Sequence, residues 1–184
     1  MDTSYMPSAI KQFEYYKLLG DKTFEQLNNH QFFWTPNKED NSIAIIIKHI
    51  SGNMRSRWTN FLTEDGEKEW RNRDDEFLNS FTSQEEVIAY WETGWQCLFN
   101  ALNSVTEKNS DTIVYIRNQG HSITEAINRQ LCHYSYHVGQ IVFLGKFLTG
   151  DNWNSLSVAK GNSKEYNAEK FSKKKSHKHF TDDL

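Results

Sequence analysis

Apolar side chains recur at roughly helical spacing in four stretches of the chain, and these stretches predict its main elements. The first runs from Pro7 to about Leu27 through Ile10, Phe13, Leu18 and Phe24, with Pro7 suited to a first turn. The second, capped by Asn41 or Ser42 and ending near Leu62, carries the stripe Ile43, Ile47, Ile50, Met54, Trp58 and Phe61. Ser83 and Glu86 form a capping-box pattern ahead of Val87, Trp91, Trp95, Leu98, Leu102 and Val105 in the third. The fourth begins near Ser122 and continues to about Leu148, with Gly150 as its stop signal.

The intervening segments lack that periodicity. Asn28 to Asp40 holds Asn-Asn-His, Pro36 and a charged cluster, which predicts a surface connection. From Thr63 to Phe81 the chain is dense in charge, with Gly66 as a breaker and Trp70 and Phe77 as apolar anchors, and reads as a long structured loop. DTIVYIRNQGHS, turning around Asn118, Gln119 and Gly120, predicts a short extended ribbon before the fourth helix. After Asp151 the sequence turns polar, and the lysine-rich end containing KKKSHKH predicts a partly extended tail. The expected organisation is one all-α domain over residues 1–160 followed by a polar tail over 161–184, with no internal repeat.

A chain of 184 residues is long enough for one proper core and short for two domains. A formal net charge of -3, with its one basic cluster in the tail, argues against a nucleic-acid binder. No apolar run approaches the roughly 20 residues that span a bilayer, and the N-terminus lacks a signal-peptide layout, so a cytoplasmic protein without membrane contact is expected. Cys97 and Cys132 are too few for a disulfide framework, which suits a reducing compartment.

The candidate chemistry lies in HYSYH. A separation of four places His133 and His137 on one helix face, one turn apart, so both can meet one ion. A third ligand from another helix would leave coordination positions open, and His49, at the edge of the isoleucine stripe, is the strongest candidate. One turn away on the same faces lie Asn53, Arg57, Arg129 and Gln140, of which Asn53 and Gln140 suit an outer shell around the ligands. On spacing alone, ordinary helix histidines remain the commoner explanation of so short a motif. The Glu of a zincin H-E-x-x-H is missing, which disfavours that peptidase class.

Tyr136 lies within reach of the ligand face and is a candidate proton donor, with Arg57 and Arg129 as further catalytic candidates, although an aromatic on a helix is more often packing. Arg71, Arg73, Asp74 and Asp75 suit a cleft that binds an anion, but a charge-rich loop is more often solvated or salt-bridged, and that reading is favoured here. Cys132 is rotated about 100° from the histidine face and is a poor ligand. His177 and His179 sit among lysines that repel cations and are read as surface residues.

The blocks NSIAIIIKHISGNMRSRW, GEKEWRNRDDEF and NRQLCHYSYHVGQIVFLGKFL resemble the DinB superfamily of bacterial metal-binding four-helix bundles, over nearly the whole chain. Within it the chain is most similar to a branch catalogued as a domain of unknown function. The resemblance implies an up-down-down-up bundle with a long crossover after the second helix, where Thr63 to Phe81 falls. It also implies a metal triad of His49, His133 and His137.

Three neutral imidazoles suit a divalent ion such as Zn²⁺ or Ni²⁺, which lowers the pKa of a bound water or thiol. The functional expectation is a metal-dependent enzyme performing hydrolysis or thiol transfer on a small-molecule substrate. A low-molecular-weight thiol as co-substrate and a homodimer are what the resemblance implies. The competing expectation is a non-catalytic metal-binding or stress-associated interaction protein, in which the ion fastens two helices together. Action on DNA is a weaker third possibility, opposed by the acidic balance of the chain.

Overall fold

Four long helices account for much of residues 4–183, the part of the chain that the structure, a computed structural model, describes. In chain order the elements are α1 (Tyr5–Phe24), α2 (Asn29–Phe33), α3 (Ile43–Trp58), α4 (Gln84–Asn103), β1 (Ile113–Ile116), β2 (Gln119–Ser122), α5 (Ile123–Thr149) and α6 (Ser163–Ser172). The fold is therefore mainly α, with one small ribbon. Among the described residues no helix is long and apolar enough to cross a membrane.

Most helix starts carry the caps their sequences promise. Ser42 accepts from the Ile45 N–H, and Ser122 forms a reciprocal capping box with Glu125. At α4 the reciprocity shifts: Ser83 accepts from the Glu86 N–H, but the Glu86 carboxylate turns to the N–H and hydroxyl of Thr82. The connection expected over Asn28 to Asp40 contains the short α2. Asn28 and Gln31 cap each other there, a local signal that the turn residues around it obscure.

α3 packs on α4 and α5, and α1 packs on α5 and α4. Phe13, Ile47, Ile50, Trp91, Trp95 and Tyr134 meet in a core from which water is excluded. Trp95 is its centre, with edge contacts to Trp91 at 5.2 Å, Tyr134 at 6.1 Å and Phe13 at 6.4 Å between ring centroids. Gly94 lets α4 approach α3 closely, because a Cβ there would stand 2.9 Å from the Ser51 Cα.

Beyond its isoleucine stripe α3 also buries polar residues, including His49, Asn53, Ser56 and Arg57. The segment between α3 and α4 folds back across it. Lys48 donates to the carbonyls of Asp75 and Leu78 at 2.7 and 2.8 Å, holding a 3-10 turn at Asp74–Phe77 against the helix. Ser56 Oγ donates to the Gly66 carbonyl at 2.6 Å, and Arg57 does so as well. Trp70, expected as an anchor of this segment, is instead 56% exposed beneath the Arg55 guanidinium. Hydrogen bonds, more than apolar burial, hold this crossover in place.

β1 and β2 pair antiparallel with Val114 opposite His121 and Ile116 opposite Gln119. Val114 and Ile116 face inward while Ile113 and Tyr115 are exposed, the period of two that a strand requires. The turn falls on Arg117 and Asn118, both in the left-handed region at φ 54° and 60°, so it includes Asn118 as expected but starts one residue earlier and leaves Gln119 and Gly120 in the ladder. Asp65 explains the shift, since its carboxylate accepts the backbone N–H groups of both turn residues at 2.8 Å. The Gly66 N–H adds a bond to the Tyr115 carbonyl at 2.7 Å, so crossover and ribbon are stitched together.

Beyond Gly150 the expected extended tail is partly helical. α6 buries none of its residues, so it lacks the apolar periodicity that marks the core helices. A final turn at Phe180–Asp183 returns to α1, where Phe180 meets Tyr15 edge-on at 5.2 Å and Asp182 pairs with Lys11.

Candidate metal centre

Packing of α3 on α5 brings His49 against the His133 and His137 pair. Ring centroids are 4.8 Å apart for His133 and His137, 5.0 Å for His49 and His137, and 5.5 Å for His49 and His133. One ligand nitrogen from each lies within 4.8 Å of the others, a grouping able to hold a metal ion. His49 is 6% exposed, and the two α5 histidines are half-buried.

The rings of His49 and His137 are oriented from behind. His49 Nδ1 donates to Glu76 Oε2 at 2.9 Å, which leaves Nε2 with its lone pair free. His137 Nδ1 lies 2.8 Å from Gln140 Oε1, an acceptor that selects the same tautomer. Phe77 stacks on the His49 ring at 4.9 Å and limits its rotation.

Glu76 is itself held on both oxygens. Arg71 Nε donates to Oε1 at 2.8 Å and Nη2 to Oε2 at 2.9 Å, and the Arg71 side chain is only 2% exposed. Burial alone would raise the Glu76 carboxyl; the hydrogen bonds from His49 and Arg71 outweigh it and hold the group below the usual carboxylate range. Gly52 makes room for this arrangement, since a Cβ there would stand 2.5 Å from Glu76 Oε1.

The donor set has the chemistry a divalent ion needs. Burial pushes His133 down to about 3, helped by the neighbouring His137 and His49 and by Arg57 and Arg71. His137 is lowered too, by burial first, against the raising effect of Gln140. Both are neutral lone-pair donors at pH 7, and proton competition for them is weak.

The other candidates from the sequence are distributed around the triad. Asn53 and Arg129 line a cavity bordered by His49 and His133. Asn53 Oδ1 accepts from the Tyr134 hydroxyl at 3.0 Å, and that hydroxyl in turn accepts from Trp58 Nε1 at 3.1 Å. Arg57 lies in the same cavity but is bound to the Gly66 carbonyl and to Glu67. Tyr136 is 63% exposed, its ring 4.9 Å from that of His137, and lines a separate groove with Ile46, Gln140 and Phe143. Cys132 is exposed and outside the ligand group.

Glu76, Phe77 and Tyr134 were not singled out by periodicity. Glu76 and Phe77 lie in a segment with no repeating pattern; Phe77 reads there as an apolar anchor, and the sequence signal for Glu76 is the charged block around Arg71 to Phe77. Arg71, read from its charge-rich context as solvated or salt-bridged, is salt-bridged, and it is also buried.

Fold and site together define a mainly helical protein with a three-histidine centre able to hold a metal ion. The chain belongs to the family described as Protein of unknown function (DUF1572), whose family model matches residues 1–162. No curated protein and no solved structure shows significant similarity to it.

Proposed function

We propose that the chain is a metal-dependent enzyme of the DinB superfamily, with residues 1–160 as an up-down-down-up four-helix bundle and 161–184 as an appended tail. His49, His133 and His137 would hold one divalent ion, Zn²⁺ or Ni²⁺. The observation that carries this is the convergence of three ligand nitrogens within 4.8 Å, with the rings of His49 and His137 fixed through Nδ1. A bound ion of this kind supplies Lewis acidity, lowering the pKa of a water or thiol that reaches it.

The chain's own residues divide the remaining work. Glu76 and Gln140 fix tautomer and ring direction. Glu76 is unsuited to general-base work, because both of its oxygens already accept hydrogen bonds. Tyr136, the exposed phenol beside His137, is the candidate proton donor, and Arg57 and Arg129, which line the cavity beside His133, are the further catalytic candidates. The reaction is hydrolysis or thiol transfer on a small molecule in the cytoplasm, by a homodimer that engages neither nucleic acid nor membrane, with a low-molecular-weight thiol as co-substrate in the second case.

Elemental analysis of the purified protein tests the centre: one equivalent of ion is expected, lost in His49→Ala. Cobalt substitution tests the chemistry, since a spectrum that stays unchanged on adding thiols would refute an exchangeable position at the ion.

A further inference from the structure

Bordered by His49 and His133 is a cavity of about 210 Å³ in which five arginines converge: Arg57, Arg71, Arg73, Arg117 and Arg129. Among the described residues two carboxylates form ion pairs with them. Glu67 takes Arg57 at 3.1 Å, Arg117 at 3.0 Å and Arg71 at 3.7 Å, and Glu76 takes Arg71 at 2.8 Å. In a chain whose formal net charge is -3, this concentration of positive charge is local and built.

Arg73 and Arg129 have no carboxylate partner among the described residues. The Arg73 guanidinium stacks over Phe77 at 5.3 Å, and Arg129 Nη1 reaches only the His121 imidazole at 3.4 Å. Deeper in, Arg57 Nε and Gln130 Oε1 are buried with no hydrogen-bond partner among the described residues, and both side chains line the same cavity. An unpaired buried donor such as Arg57 Nε and crowded like charges are both costly in a low-dielectric site. An anion bound by the guanidinium forks would offset the charge and offer Arg57 Nε an acceptor, whereas Gln130 Oε1, itself an acceptor, gains nothing from it.

The elements that carry these side chains come from across the chain. Arg57 is on α3, Arg71 and Arg73 on the crossover, Arg117 on the ribbon turn and Arg129 on α5. Asp65 holds the ribbon turn in the left-handed conformation that carries Arg117, and Glu67 bridges from the crossover to Arg117. The stitching of crossover to ribbon thus sets the positions of the charges.

We propose that this cavity is an oxyanion subsite, taking the carboxylate or phosphate of a small molecule whose reacting atom then lies toward His49 and His133. Guanidinium forks match both oxyanions in a bidentate manner. The volume is below the roughly 300 Å³ at which pockets begin to enclose a whole small ligand, so the cavity fits an anionic headgroup. The assignment rests on the metal-centre reading for the direction in which the reacting atom points, but the binding of the anion does not.

The test uses the metal-free full chain at low ionic strength, titrated with inorganic phosphate and separately with succinate by calorimetry. Saturable binding of at least one probe is expected, and the tighter one identifies the oxyanion. Arg73→Gln with Arg129→Gln should weaken it roughly tenfold or more, as loss of charge-assisted hydrogen bonds implies. Lys108→Gln with Lys174→Gln, which removes equal charge from outside the cavity, should leave it unchanged. Both arginines are exposed, and an unaltered thermal melt confirms that the double variant is folded. The proposal is overturned by absence of saturable binding to either probe, by undiminished binding in the arginine variant, or by equal weakening in the lysine control. Phosphate binding by a protein that takes up no metal would leave this cavity standing and sink the metalloenzyme reading. A metal-loaded protein indifferent to both anions would do the reverse.

Discussion

His49 Nδ1 donates to Glu76 Oε2 across 2.9 Å, joining a ligand on α3 to a carboxylate that arrives from the crossover. The bond favours the Nδ1–H tautomer and leaves Nε2 as the nitrogen available to an ion. Glu76→Gln preserves the shape of the side chain but removes its charge and one acceptor. Metal affinity should fall by about 10- to 100-fold, the usual effect of losing such a partner, in a competition titration against a chelator.

Gly52→Ala offers a cleaner separation of stability from affinity. Alanine is favoured over glycine inside a helix by about 1 kcal/mol. Its Cβ, however, would stand 2.5 Å from Glu76 Oε1 and force the carboxylate to move. The expected outcome is weakened metal binding in the chelator competition, with helix content by circular dichroism retained. Unchanged affinity would show that Glu76 does not need its observed position.

The metal-free protein should lose stability as pH falls. An imidazole in the unfolded chain titrates near 6.5, whereas folded His133 sits at about 3 and folded His137 is also lowered. Below pH 6.5 the unfolded state therefore takes up protons that the folded state refuses, and the balance shifts toward unfolding until the folded groups titrate. Glu76, held below 4.5, contributes stability that is full above that value and is lost only at lower pH. The interval from 6.5 to 4.5 consequently reports the histidines. Urea midpoints should decline across it, and His133→Gln should flatten the slope.

The Tyr134 hydroxyl links Trp58 to Asn53 inside the core, and burial pushes its phenol well above the usual range. Tyr134→Phe would leave the Trp58 indole N–H and the Asn53 carbonyl oxygen each without this partner. A destabilisation on the order of 1–3 kcal/mol is expected from urea unfolding. Retained metal stoichiometry in the same variant would separate this chain of hydrogen bonds from the ligand group.

Much of the scaffold was legible because it is written in periodicity. The isoleucine stripe of α3 and the Val87, Trp91, Trp95 and Leu98 stripe of α4 are buried where the spacing put them. His49, His133 and His137 were legible as edge positions on two such stripes. The crossover was legible as a long structured connection, but the contacts that fix it were not, because Arg71, Glu76, Ser56 and Lys48 hold it by specific hydrogen bonds that no repeat announces. The ribbon turn illustrates the same point: Asn118 to Gly120 is the local signal, yet a distant aspartate, Asp65, accepts from both Arg117 and Asn118 and accompanies a turn one residue earlier. Long-range polar contacts override local preference wherever they satisfy several backbone groups together.

The burial of α3 on nearly every side bears on how freely this segment can vary. An ordinary amphipathic helix tolerates substitution at every third or fourth position, the ones that face water. Along Ile43–Trp58 only Ile45, Lys48 and Arg55 escape full enclosure. In a saturation mutagenesis screen, α3 should therefore stand out as an almost unbroken intolerant block, while α6 should accept nearly any residue but proline.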